Sequence, residues 1–139
     1  MSQENVELVY RVTDAFNRRD LDAFLALMDD DIEIASRIVA IEGGLRGHDG
    51  VRRWWQNWLD TWPDYRAEVV EMRDHGDVTI AATRALGHGA GSEVPFEDAA
   101  WQVCRWRAGK LAACSIFTDE DQALEAARLS KQDAHADSS

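Results

Sequence analysis

The fold is decided by the stretch Val51-Arg52-Arg53-Trp54-Trp55-Gln56-Asn57-Trp58-Leu59-Asp60-Thr61-Trp62. When this stretch is wound at about 3.6 residues per turn, its valine and its tryptophans share one wide face, and the polar residues fall elsewhere. Pro63 follows and stops the helix. So broad an aromatic face has to be packed against a large apolar surface, and the flanking sequence must supply that surface.

Two shorter helices and a strand are predicted upstream. Apolar residues recur at helical spacing over residues 6–16. Asp20 caps a second helix, on which one apolar stripe is formed by Leu21, Phe24, Leu25 and Met28. Residues 32–36 then alternate between apolar and polar, which is typical of a half-buried strand.

Downstream of the long helix the period changes to two, which predicts a meander of four strands. Their expected ranges are 65–73, 78–86, 96–107 and 111–117. A three-residue turn before the last strand would pair Arg107 with Leu111 and would place Cys104 opposite Cys114. Thr118 is predicted to cap a short last helix that ends at Leu129.

Helices that precede an antiparallel meander indicate an α+β fold, with the curved sheet wrapped around the long helix. We expect two N-terminal helices, a short C-terminal helix and a single domain over residues 1–130. Residues 131–139 are small and polar, and this composition predicts a disordered tail.

Composition excludes several kinds of partner. The net charge of −11 disfavours nucleic acid and anionic membrane surfaces. No apolar run is long enough to span a bilayer, and the polar start favours the cytoplasm over secretion. The two cysteines are expected to be free thiols. Four scattered histidines, without a zinc or phosphate motif, predict no metal and no cofactor.

Five motifs resemble the nuclear-transport-factor-like superfamily, and within it the SnoaL-like (polyketide-cyclase-like) branch. The first motif, residues 17–22, lies between the two N-terminal helices. The second motif, residues 45–51, leads into the aromatic helix. The other three, which carry the likeness to the SnoaL-like branch, are residues 87–95, 108–111 and 121–126.

The resemblance covers residues 4–130 and implies a cone whose mouth opens between the helices and the sheet. It also implies a homodimer paired through the outer face of the sheet, where Trp101 and Val103 would lie. Relatives with this fold include isomerases, cyclases, dehydratases, epoxide hydrolases and non-catalytic ligand-binding or assembly domains, so the fold does not decide the function.

Ketosteroid isomerases of this superfamily use a carboxylate base and two neutral donors. By resemblance these positions fall on Ser36, Val12 and Gln102, and none of the three residue types is retained. Epoxide-hydrolase relatives need an Asp–Arg–Asp set, to which Arg84 and Asp98 would supply two members without a third.

The candidate catalytic residues are Asp98 as base, Gln102 as orienting donor and His88 as proton shuttle. Asp98 and Gln102 share strand parity, on the face assigned to the cavity. The alternatives are that Asp98 pairs with an arginine at the wet end of the cone and that His88 is an ordinary exposed loop residue.

The candidate ligand-binding residues are mostly aromatic: Trp54, Trp55, Trp58, Phe16 and Trp106, together with Ser36. Flat rings suit a hydrophobic polycyclic or terpene-like molecule, although core packing also explains them. Two hypotheses follow: a cofactor-free isomerase, cyclase or hydrolase, or a non-catalytic ligand-binding or homodimerisation domain.

Overall fold

The computed structural model describes residues 2–36 and 45–138, and within them it contains four helices and six strands. Their order is α1 (Ser2–Asn17), α2 (Leu21–Ala26), β1 (Met28–Ser36), β2 (Leu45–Arg46), α3 (Gly47–Thr61), β3 (Arg66–His75), β4 (Val78–His88), β5 (Pro95–Arg107), β6 (Lys110–Phe117) and α4 (Glu120–Ser138).

One curved, open sheet holds all six strands in the order β2-β1-β6-β5-β4-β3. The pairs are antiparallel except β1 with β6, which run parallel, so the sheet is mixed where a fully antiparallel one was expected. The parallel pair is possible because α3 and four strands separate β1 from β6 in the chain. The predicted α+β fold with a sheet curved around α3 is confirmed.

The main core lies on the concave side of this sheet, between β-strand side chains and the first three helices. Its most buried large residues include Met28, Ile32 and Val51. A second, smaller core lies on the outer face, where Ala123 and Ala127 of α4 cover Val103 and its neighbours.

This covering changes the expectation for the outer face. Val103 was expected at a dimer surface, yet only 2% of it is exposed. Trp101 packs against the same cluster and lies under the guanidinium of Arg73, whose Cζ is 5.2 Å from the ring centroid. Helix α4 therefore supplies the apolar cover that was assigned to a partner.

Helix α4 continues to Ser138, so the predicted helix end at Leu129 is wrong. The residues after Leu129 are polar, but they include neither glycine nor proline, so nothing in them breaks a helix.

The turn between β5 and β6 has two residues rather than three. Ala108 and Gly109 have φ angles of 51° and 77°, and Arg107 pairs with Lys110. A bulge between Arg105 and Trp106 then shifts the register by one residue. Cys104 therefore faces Cys114 as predicted, although by a different route.

The connection between α1 and α2 is tied to the structure at both of its ends. Asn17 exchanges two hydrogen bonds with the backbone of Ala67, at 2.8 Å and 3.0 Å. Asp20 accepts a hydrogen bond from the backbone N–H of Ala23, at 3.1 Å, and so caps α2 as predicted.

Arg19 lies between these two residues and joins the same connection to the segment after α3. Its guanidinium donates to the carbonyl oxygens of Phe16, Pro63 and Tyr65. The motif at residues 17–22 thus positions α1 and α2 against the start of β3, beside the cavity described next.

Candidate functional site

A cavity of about 530 Å³ lies between the N-terminal helices, α3 and the concave face of the sheet. Its wall is mainly apolar, and seven aromatic side chains contribute to it: Phe16, Phe24, Trp54, Trp58, Trp62, Tyr65 and Trp106. Polar side chains are fewer: Thr13, Thr83, Asp98 and Gln102, besides the Tyr65 hydroxyl.

Strand alternation on β5 determines which of its residues reach the cavity. Every second residue from Asp98 to Trp106 lines the wall, as the parity argument predicted. The structure thus brings Asp98 and Gln102 to the same surface as Phe16, Trp54, Trp58 and Trp106.

Trp55 lies in the core rather than at the cavity wall. Only 7% of Trp55 is exposed, and its ring centroid lies 5.3 Å from that of Phe16 and 4.9 Å from that of Phe24. The reason is helical geometry, because neighbouring residues on a helix point about 100° apart and Trp54 takes the cavity side. Ser36 ends β1, with its backbone opposite Ile116, and its side chain lies outside the described part of the chain.

His88 does not line the cavity; it is held at the end of β4 by Asp64. One carboxylate oxygen accepts the backbone N–H of His88 at 2.7 Å, and the other lies 2.7 Å from Nδ1. These two bonds hold the pKa of Asp64 below its ordinary value, the side-chain bond contributing most. In a neutral imidazole, an Nδ1–H that faces this carboxylate leaves Nε2 as the acceptor nitrogen.

Tyr65 is a polar cavity residue that sequence reasoning missed, as it missed Thr13 and Thr83. Burial, together with the nearby charge of Asp98, raises the pKa of its phenol to about 12. The hydroxyl therefore stays protonated over the physiological range. Tyr65 is the first residue of the predicted strand 65–73 and immediately precedes β3. It has the same parity as Ala67, which also lines the cavity, so the alternation of that strand was the signal that could have identified it.

The alternative role for Asp98, an ion pair with an arginine, is not found among the described residues. Arg84, the neighbouring candidate, bonds Glu68 at 2.8 Å and lies 3.4 Å from Glu97 on the outer face. Asp98 instead accepts the backbone N–H of Ala99 at 2.9 Å.

The other end of the cavity contains both thiols. Cys104 and Cys114 are unpaired cysteines with their Sγ atoms 3.8 Å apart. The hydrogen bond from the Cys104 thiol to the Cys114 sulfur, together with burial, raises the pKa of Cys104, so this thiol is held in its neutral form. Together with Met28 and Leu111, the pair makes this part of the wall apolar.

Metal-binding clusters and membrane-spanning helices are both absent from residues 2–36 and 45–138. No group of three or more histidine, cysteine or acidic side chains in these ranges is arranged to hold a metal ion. No helix in the same ranges has the length and hydropathy needed to cross a membrane.

A curved sheet closed over a long aromatic helix, with a cavity between them, defines the class of nuclear-transport-factor-like cone folds. The sequence profile described as "SnoaL-like domain" matches residues 9–114, which is most of the chain. The chain belongs to the SnoaL-like family. No curated protein matches its sequence significantly.

Similar solved structures share the fold at low sequence identity. An NTF2-like protein of unknown function from Burkholderia pseudomallei is 18% identical, with a TM-score of 0.75 over 88% of this chain and 95% of that one. IdmH from Streptomyces antibioticus, a candidate polyketide cyclase, is 23% identical, with a TM-score of 0.70 over 86% and 95%. TerC, co-crystallised with polyporic acid, is 18% identical, with a TM-score of 0.73 over 88% and 96%.

Proposed function

We propose that this SnoaL-like domain binds a hydrophobic small molecule with a polycyclic or terpene-like skeleton. The observation that carries the proposal is the cavity of about 530 Å³ with a largely apolar wall. This volume lies in the range of pockets that bury a drug-sized ligand. The polyporic acid in the crystals of TerC, a protein with the same fold, is in keeping with the proposal.

A cofactor-free isomerase, cyclase or hydrolase is the second candidate function. It is favoured by the proximity of Asp98, a carboxylate on the cavity wall, to the protonated hydroxyl of Tyr65. Asp98 would take a proton from the ligand while Tyr65 and Gln102 donate hydrogen bonds to the developing oxyanion. His88 would exchange protons with solvent from outside the wall. Without such chemistry the same cavity serves a non-catalytic binding domain.

Intrinsic tryptophan fluorescence tests binding, because three tryptophans of the α3 segment line the cavity. Steroid-, terpene- and polyketide-like compounds are titrated into the protein, and saturable quenching is expected for at least one. Ala100→Phe fills the cavity and should abolish this response. Ala99→Phe adds the same ring on the exposed side of β5 and should leave the response unchanged. No saturable response across the panel would contradict the proposal.

Turnover of a bound compound then separates the two candidates. An enzyme should convert the compound, and Asp98→Asn should remove conversion while binding of an uncharged compound persists. Binding without conversion would assign the non-catalytic role.

The homodimer and the cytoplasmic location stay predictions of the sequence. Because α4 covers Val78, Ile80 and Val103, a dimer would have to pair through surface outside this cluster. Sedimentation at micromolar concentration tests the dimer, and a monomer would exclude it.

A further inference from the structure

The charges of the side chains that line the cavity indicate which charge a ligand should carry, in addition to its apolar character. Among the described residues that line it there is one carboxylate, Asp98, and no lysine, arginine or histidine. The whole chain also carries a net charge of −11. A carboxylate in a largely apolar wall attracts a cation and repels an anion, and the low local dielectric strengthens both effects.

The ring of Tyr65 is close to this carboxylate, and it belongs to a cluster of three aromatic rings that face in different directions. The rings of Trp58 and Tyr65 are 5.3 Å apart at 80°, and those of Trp58 and Trp62 are 6.3 Å apart at 44°. Asp98 is close enough to Tyr65 for its charge to be felt by the phenol. Aromatic faces carry negative electrostatic potential, and a cation held against several of them is stabilised by each.

Arg19 is a described cation beside the aromatic wall, and its partners lie elsewhere. The guanidinium of Arg19 lies over the Phe16 ring, with Cζ 5.2 Å from the centroid, and donates to backbone carbonyls. Its electrostatic partner is Asp64, outside the cavity wall. Among the described residues no cation pairs with Asp98, so a cation that enters the cavity can match its charge.

We propose that the ligand is an organic cation: an apolar molecule that carries an alkylated ammonium group, which sits against Trp58, Trp62 and Tyr65 and faces the Asp98 carboxylate. This inference rests on the proposed function and specifies the ligand of the same cavity. The apolar body of the molecule would lie toward Met28, Leu111 and the two thiols, where the wall offers no charge.

Isothermal titration calorimetry with isosteric probes tests the charge preference. The probes are benzyltrimethylammonium and neopentylbenzene, which have the same shape and differ by one nitrogen and its charge. We expect the cation to bind at least tenfold more tightly. If the neutral probe binds equally well or better, the organic-cation inference is overturned while the hydrophobic-ligand proposal stands. If neither probe binds and the compound panel gives no quenching either, both fail.

Two charge-removing variants on the same strand assign the effect to one carboxylate. Asp98→Asn should weaken ammonium binding about tenfold and change binding of the neutral probe less than twofold. Glu97→Gln removes the same charge one residue away, on the outer face beside Arg84, and should change neither affinity. Equal losses in the two variants would show a general effect of net charge and would overturn the assignment to Asp98. The comparison of probes on the unaltered protein needs neither variant.

Discussion

The side chain of Asn17 acts as a strand partner for Ala67. Its Nδ2 donates to the Ala67 carbonyl oxygen at 2.8 Å, and its Oδ1 accepts the Ala67 N–H at 3.0 Å. Because β3 is an edge strand, Ala67 has no backbone partner on this side, and the last residue of α1 supplies both bonds.

We predict that Asn17→Ala destabilises the protein by about 1–3 kcal/mol, since two partly buried backbone groups lose their partner. Urea unfolding monitored by circular dichroism measures the change. Asn57→Ala, at an exposed position of α3, is the control and should cost less than about 0.5 kcal/mol. Equal costs for the two variants would contradict the strand-partner role.

The hydrogen bond between Trp106 and Thr79 should contribute a comparable amount to the free energy of unfolding. The indole Nε1 donates to Oγ1 at 2.9 Å, and both residues are buried. Thr79→Val keeps the shape but leaves the indole N–H without an acceptor, so we expect a loss of about 1–3 kcal/mol in urea unfolding. Thr79→Ser keeps the hydroxyl and should recover part of this loss. If valine is tolerated better than serine, the bond contributes nothing.

Replacement by alanine should change the stability of the protein in opposite directions at two of its glycines. A Cβ at Gly87 would lie 3.0 Å from Asp64 Oδ1 and 3.1 Å from the Tyr65 Cα, so Gly87→Ala should cost about 1–3 kcal/mol. Gly50 lies inside α3, and a Cβ added there would make ordinary van der Waals contacts with Leu45 at 3.8 Å. Gly50→Ala should therefore stabilise the protein by about 0.5–1 kcal/mol. Thermal unfolding of both variants checks the predicted signs.

The pair of Asp64 and His88 predicts a measurable change in titration. The pKa of Asp64 is lowered mainly by the side-chain bond from His88 and next by the backbone bond from the same residue. His88→Ala removes the first bond and keeps the second. We expect the pKa of Asp64 to rise partway toward its ordinary value, as measured by NMR of the carboxyl carbon. His75→Ala, at the last residue of β3, should leave the pKa of Asp64 unchanged.

The same pair links stability to acid. A carboxylate whose pKa is lower in the folded than in the unfolded state stabilises the fold. This contribution is fully present at pH values above the pKa of the unfolded state, about 3.9, and it is lost as the pH falls through the lower pKa of the folded state. Acid unfolding of His88→Ala should therefore begin at a higher pH than that of the unaltered protein. An unchanged acid transition would show that the bond is absent in solution.

Local patterns in the sequence identify most of the secondary structure. The aromatic face of α3, the Asp20 cap and the alternation along β5 depend on residues close together in the chain, and so the periodicity predicts them. The same alternation is sufficient to place Asp98 and Gln102 on one surface. Trp55 escaped this reasoning because a helical face wide enough to hold four tryptophans does not separate the side that packs in the core from the side that lines a cavity.

Contacts between distant segments could not be predicted in this way. The bonds from Asp64 to His88 join residues on two different elements, and the bulge at Arg105 compensates for a shorter turn without leaving a mark in the hydrophobic pattern. The position of α4 on the outer face is also of this kind, because Ala123 and Ala127 are too small to indicate what they pack against.

The sequence by itself determined most of the elements, the family resemblance and the net charge, since these follow from neighbouring residues and from composition. Only the tertiary structure decided that Tyr65 lies near Asp98 and packs against Trp58, that His88 is held outside the cavity, and that α4 covers Val103. The physical reason is that a cavity is made by side chains that come together from several elements, and their distances depend on how the whole sheet curves around α3.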